Sequence, residues 1–473
     1  MRKIIIILLA AFCYQHAAAQ SPVDRSRQPE AGPAPVISFK DPVIYKLSNG
    51  MTILVVEDHR LPRVSADFYI NAGPVPEGNK AGVYSLMGQM LNEGTKAMSK
   101  AQFGEAVDRL GADVSLNSTG GGVRALTRYF PQALELMSQA LQKPALGNDA
   151  FEKLRSQTLT AMQNSSRDIN AVSGRVVNAL LYGTDNPMGE FSTEATIKAL
   201  TLDDIKSFYT KYITPAKSYL TIVGDIKPVL AKQLAEKLFA SWKGSNLTQP
   251  VIPNVNNPVK TEIDLIDLPN AVQSEITIAN LVNLKSNAPD VFAARLANAI
   301  LGGGADGYLF KSLREKRGFT YGAYSSLGSG HFQQTFKASA AVRTAKTDSA
   351  VIEFLEQIKR IRSQRVSDEE LKNAKALYNG MFALSMENPE VTATYARSIL
   401  INNLPKDYYR TYLQKMNAVS VAEVQQVAEK YFGYDNTRVI IVGNASQIMD
   451  NLKKLPFTIK EYDPYAKPVH SGQ

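Results

Sequence analysis

The 473-residue chain has one cysteine, four histidines and one tryptophan. The cysteine, Cys13, lies in the apolar N-terminal stretch, so the chain beyond it can form no disulfide, no zinc–thiolate site and no cysteine nucleophile. His59, His331 and His470 are the histidines beyond that stretch, and none stands at a metal-ligand spacing from another. No G-x-S-x-G elbow occurs, and histidine is too scarce for a serine triad. The formal charge is +9, but lysine and arginine are scattered apart from short clusters such as "LREKRG" and "KRIRSQR". A nucleic-acid surface concentrates its charge in a stripe with interleaved aromatics, so no nucleic-acid partner is expected. No apolar run after the N-terminus is long enough to span a bilayer, and no membrane span is expected.

The N-terminus carries an address. "MRK", "IIIILLAAFCY" and Ala17-Ala18-Ala19 give a charged region, a short apolar region and a small-residue cleavage site. Residues 1–19 therefore read as a signal peptide cut near Ala19, and the protein as exported, with a periplasmic address in a two-membrane bacterium. Phe12 before Cys13 is too bulky for lipoprotein processing. Residues 20–40, rich in Pro, Ser and charge, form a flexible leader. "KGSNLTQPVIPNVNNPVK", 243–260, is a linker between halves at 41–242 and 261–455, and 456–473 is a tail.

The halves are copies. "LTLDDIKSFYTKYITPAKSYLTIVGDI" (200–226) lies over "VSVAEVQQVAEKYFGYDNTRVIIVGNA" (419–445) without a gap at an offset of 219. Each segment opens on a capping Thr or Ser with an acid three residues later, runs as a helix, and turns into a β-branched strand. Strands are expected around the Asn49-Gly50 turn, at 63–73, 261–267, 273–280, 320–327 and 334–342. Helices are expected at 99–110, 131–142, 149–163, 169–182, 289–301, 308–316, 346–363, 367–384 and 390–401. "STGGGVRAL" (118–126) reads as a strand interrupted by glycine. "LGGGADG" (301–307) lacks the Gly-Lys-Ser/Thr of a phosphate loop and reads as a helix break with Asp306 as a cap. The fold class is α+β: two homologous halves, each a mixed or antiparallel sheet covered by helices.

"AGVYSLMGQMLNEGT" (81–95) has helical apolar spacing at Val83, Leu86, Met87, Met90 and Leu91, ending at Gly94-Thr95. With "FEKLRSQTLTAM" (151–162) and "LREKRGFTYGAYSSL" (313–327), it resembles the insulinase-type, or pitrilysin and mitochondrial-processing-peptidase-like, zinc peptidases over roughly 41–455. The resemblance implies a clamshell of two homologous halves. It also implies an H-x-x-E-H helix whose two histidines bind zinc while the glutamate activates the metal-bound water. In this chain those three positions hold Ser85, Gly88 and Gln89, and the family's third ligand, a glutamate, falls near Ala161. The metal site is thus degenerate, and no zinc or other cofactor is expected in this chain. Taken without the family, Ser85 and Gln89 are polar residues on a half-exposed helix.

The second-half segment keeps what the first has lost. In the family, an Arg and a Tyr seven residues apart bind the substrate backbone, and Arg314 and Tyr321 stand at that spacing. Seen alone they are a helix-surface cation and a strand aromatic. The resemblance implies a chain that is inactive by itself and binds peptide as one component of a zinc metalloendopeptidase. Its partner would be a homologous subunit carrying H-x-x-E-H and the zinc, in a heterodimer whose substrates are short or unfolded peptides. The alternative is a catalytically inert scaffold or peptide-binding protein of the same fold.

Overall fold

The computed structural model describes residues 41–469. The signal peptide 1–19, the leader 20–40 and residues 470–473, His470 included, lie outside the described residues. No helix among those described is long and apolar enough to cross a membrane.

Two six-stranded mixed sheets organise the chain. The first contains β1 (Val43–Lys46), β2 (Thr52–Glu57), β3 (Arg63–Ile70), β4 (Asp113–Asn117), β5 (Gly120–Leu126) and β6 (Ser218–Gly224), in the order β1-β2-β6-β3-β5-β4. The second contains β7 (Glu262–Asp267), β8 (Gln273–Val282), β9 (Tyr324–Leu327), β10 (Gln334–Arg343), β11 (Arg438–Gly443) and β12 (Thr458–Tyr462), in the order β12-β7-β11-β8-β10-β9. Five positions of the two orders correspond. The sixth does not: β1 precedes β2 and pairs with it antiparallel, whereas β12 comes from the chain end and pairs parallel to β7. The second sheet therefore extends past residue 455 into the segment expected to be a tail.

The Asn49-Gly50 turn forms as its residue types require. Gly50 adopts φ +95°, open to glycine without a Cβ penalty, and the Asn49 amide donates to the carbonyl of Phe239 at 2.7 Å. The glycines of 118–126 correct the sequence expectation, because β5 is an unbroken strand paired to both β3 and β4. A Cβ on Gly120 would lie 1.9 Å from the carbonyl oxygen of Phe68, and one on Gly121 would lie 2.4 Å from that of Ser115. Glycine here lets three backbones approach one another; it does not break the strand.

Ten helices carry the argument: α1 (Val83–Met90), α2 (Phe130–Gln142), α3 (Asn148–Ser165), α4 (Ile169–Tyr182), α5 (Leu202–Tyr212), α6 (Val291–Gly302), α7 (Thr347–Ser363), α8 (Asp368–Ser385), α9 (Pro389–Ile401) and α10 (Val421–Tyr431). Thr201 with Asp204 and Ser420 with Glu423 form reciprocal capping boxes that start α5 and α10, so the copied sequence gives copied caps. The run expected as a helix at 308–316 winds as a π-helix over Phe310–Lys316. It has no side-chain cap; Asp306 is fully exposed beside Lys311 and does not cap it.

Each half keeps most of its helices on one sheet face, over its own apolar core. The other face of each sheet is covered by a helix from the opposite half. α4 lays Val172, Val176, Val177 and Leu181 on Ile266, Ala279, Leu281, Ile440 and Val442 of the second sheet. Burying each of those valine and leucine side chains stabilises the contact by about 1.5–3 kcal/mol. α9 returns the exchange on the first sheet with far less apolar contact, Ala393 against Val56 and Val223. Its remaining ties are polar: Arg397 pairs with Asp67, and Glu390 accepts from Ser65 Oγ at 3.0 Å and Arg124 at 3.2 Å.

Candidate functional site

α1 is an amphipathic helix whose buried face is Val83, Leu86, Met87 and Met90. Its start is capped from outside. The Glu77 carboxylate accepts from the backbone N–H of Gly82 at 2.8 Å and Tyr84 at 2.9 Å. Glu190 in turn accepts from the N–H of Glu77 at 2.9 Å and of Gly78 at 3.1 Å. Burial pushes the Glu77 carboxyl above the usual carboxylate range, against those hydrogen bonds. Neither acid was foreseen from the sequence, because the cap lies outside the helix and draws on a residue more than a hundred positions away.

Ser85 and Gln89 lie one turn apart on the exposed face of α1, as expected of histidine positions in H-x-x-E-H. Gly88 differs, because it is buried against the β4–β5 turn. A Cβ at 88 would lie 2.4 Å from the backbone nitrogen of Ser118 and 3.0 Å from the carbonyl carbon of Asn117. Asn92 holds this approach closed by exchanging hydrogen bonds with the backbone of Leu116 at 2.9 and 3.0 Å. The position at which the resemblance expects the general base is therefore occupied by another segment's backbone. Ala161 is exposed in the C-terminal half of α3, where Leu159 and Met162 make the contacts with the core.

Both ring nitrogens of His59 are engaged by carboxylates, Nδ1 with Asp225 at 2.5 Å and Nε2 with Glu57 at 2.8 Å. Hydrogen bonding to Asp225 and then to Glu57 raises its pKa. Among the described residues no group of three or more His, Cys, Asp or Glu is arranged to hold a metal ion.

Arg314 and Tyr321 stand on a segment whose backbone is fixed at several points. Glu353 accepts from Ser312 Oγ and, at 3.0 Å, from Arg317 Nε. The Phe319 N–H donates to Leu313 at 2.8 Å, and Arg343 donates to the Gly318 carbonyl at 2.9 Å. Gly318 turns the chain with φ +61°, and Thr320 pairs across to Val342 in β10. The Thr320 hydroxyl lies 2.6 Å from the Ala341 carbonyl and 3.0 Å from that of Gly322, which delays the start of β9 to Tyr324. On this frame both side chains face outward. The Arg314 guanidinium rests 4.7 Å above the Phe310 ring, and Tyr321 is 88% exposed. A tyrosine so exposed contributes little to the core.

Comparison with known proteins bears on the family and the fold. Residues 52–186 match the profile of the insulinase peptidases, family M16, and residues 199–378 match that of the M16 peptidase inactive domain. A non-peptidase homolog from Helicobacter pylori is 22% identical over 421 residues, 86% of this chain and 92% of that protein. The mitochondrial-processing peptidase subunit beta of Saccharomyces cerevisiae is 22% identical over 361 residues, 72% of this chain and 78% of that one. The crystal structure of an M16 peptidase inactive domain from Pseudomonas fluorescens superposes with a TM-score of 0.78 at 22% identity, covering 85% of this chain and 98% of that one. With the duplicated fold in place, the chain belongs to the insulinase-type M16 peptidase family, with Ser85, Gly88 and Gln89 at the positions where the resemblance expects the ligands and base of H-x-x-E-H.

Proposed function

We propose that this protein is the substrate-gripping subunit of a two-component, exported zinc peptidase. A homologous chain supplies H-x-x-E-H, the zinc and the general base. Residues 1–19 direct export, and the complex works on short or unfolded peptides in the periplasm. Arg314 clamps a peptide carbonyl with paired N–H donors, and the Tyr321 hydroxyl donates to the oxyanion that forms on the scissile carbon. One contrast carries the reading: the base position is closed at Gly88 by backbone, while Arg314 and Tyr321 are held outward on a braced segment. An inert scaffold would have no need of a tyrosine left 88% exposed on so rigid a mount.

The test is reconstitution. The mature chain is mixed with the exported M16 homologue of the same organism that carries H-x-x-E-H, and cleavage of an unstructured peptide is followed. Cleavage should depend on both chains. Tyr321→Phe should lower kcat by roughly two orders of magnitude, as loss of an oxyanion donor does. Arg314→Ala should chiefly raise KM, and both variants should still co-elute with the partner. Wild-type kinetics from both variants would remove the proposed roles even if the complex forms.

A further inference from the structure

α6 is the second-half counterpart of α1, and the two helices can be laid together residue by residue. At an offset of 210, the buried Val83, Leu86, Met87 and Met90 fall on the buried Ala293, Leu296, Ala297 and Ile300. α3 and α8 correspond at an offset of 220, where buried Phe151 and Leu154 fall on buried Leu371 and Ala374. Ser85 then matches Arg295, and Gln89 matches Ala299. A position that carries a small neutral hydroxyl in one half thus carries a fixed positive charge in the other.

Arg295 is half-buried and walled by aromatic rings. Its guanidinium lies 5.8 Å from the Tyr412 ring centre and 6.0 Å from that of Phe292. Those rings are themselves fixed, because Phe292 meets Tyr412 edge-on at 5.3 Å and Tyr412 stacks on Phe382 of α8 at 4.6 Å. The backbone is held too, since the Tyr378 hydroxyl of α8 donates to the Arg295 carbonyl at 3.4 Å. The side chain's own hydrogen bonds go to phenols. Nη1 donates to the Tyr412 hydroxyl at 3.3 Å, and Tyr408 is its second hydroxyl partner. Phenols are neutral at physiological pH, and a guanidinium has five N–H donors to satisfy. Among the described residues no carboxylate pairs with Arg295, whereas Arg397, Arg410 and Arg438 each have one. For packing alone, a methionine would fill the place without a charge to desolvate.

We infer that Arg295, framed by the rings of Phe292 and Tyr412, is a binding site for a carboxylate. The planar fork offers two parallel N–H donors to the two oxygens of such a group. A fork already withdrawn from water holds them more strongly than an exposed one, and the rings keep it in a single orientation. Two sources share this chemistry, the C-terminal carboxylate of a peptide and a free small carboxylate. The site goes beyond the peptide-gripping reading and does not draw on the roles given to Arg314 and Tyr321, so either can fail without the other.

The test begins with thermal melting of the mature chain in sodium acetate and in sodium chloride, at equal ionic strength and neutral pH. Acetate should raise the wild-type Tm by about 2 °C over chloride, by mass action on the folded state. Arg295→Gln should lose that difference. Arg295→Lys, which keeps the charge without the fork, should lose most of it, and this variant decides the matter if the glutamine chain does not fold. Two fluorescein-labelled eight-residue peptides, identical except for a C-terminal carboxylate or carboxamide, then separate the sources by anisotropy. Roughly tenfold tighter binding of the acid, with the ratio near one in the Arg295 variants, assigns the peptide end. Equal binding of the two peptides, or none, alongside the acetate shift assigns a free small carboxylate. An acetate shift or acid preference that survives in the variants overturns the site, as does the absence of both in wild type.

Discussion

At Gly88 the expected general-base position and a packing requirement meet in one atom. The degenerate motif was legible in the sequence, since Ser85, Gly88 and Gln89 fall in the frame of a helix whose apolar face is plain. That the position is also sterically closed was not legible. The obstacle is the backbone of Ser118, thirty residues away, and backbone proximity leaves no periodic signal. Restoring the motif must therefore fail for a reason beyond chemistry. Gly88→Ala gains helix propensity of about 1 kcal/mol but forces a methyl to within 2.4 Å of a backbone nitrogen. Overpacking costs about 1–3 kcal/mol, and here it falls on backbone that cannot swing aside. Denaturant titration should show Gly88→Ala destabilised, whereas Gly174→Ala in α4, where an added Cβ has nothing within 4 Å, should be stabilised by about 0.5–1 kcal/mol. If both alanines stabilise the protein, α1 does not pack on the β4–β5 turn as described.

Among elements, the helices were the most legible part, because each carries a 3.6-residue apolar repeat and several carry capping boxes. The expected helix at 169–182 coincides with α4, and that at 390–401 differs from α9 by one residue. The sequence did not reveal where these two helices pack. A surface pattern gives the width of an apolar face but not the sheet that receives it. Nor did it reveal β12, a short half-exposed strand with only Ile459 and Tyr462 to mark it. The reciprocal exchange has an asymmetric basis, apolar under α4 and ionic under α9, so the two helices should respond oppositely to salt. High salt screens the Arg397–Asp67 and Arg124–Glu390 pairs, and it does not weaken hydrophobic burial. Backbone hydrogen exchange in 1 M sodium chloride should therefore accelerate in α9 and stay unchanged or slow in α4. Equal acceleration in the two helices would contradict this assignment of forces.

For the whole molecule, duplication was the strongest sequence signal, and it explains how function can divide between halves. An ungapped match at an offset of 219 residues means that each sheet presents corresponding positions, and each half has diverged separately. On the proposed reading, the first half has packing at Gly88, and exposed neutral side chains at Ser85 and Gln89, where the motif would stand. The second carries Arg314 and Tyr321 outward on a braced segment. Division of labour of this kind requires that no hydrolytic centre remain in the chain itself. Metal analysis of the purified mature protein after exposure to zinc, combined with a peptide-cleavage assay of the same sample with and without chelator, tests that requirement directly. The predicted result is no stoichiometric zinc and no cleavage in either condition. One zinc per chain, together with solo cleavage that a chelator abolishes, would contradict it.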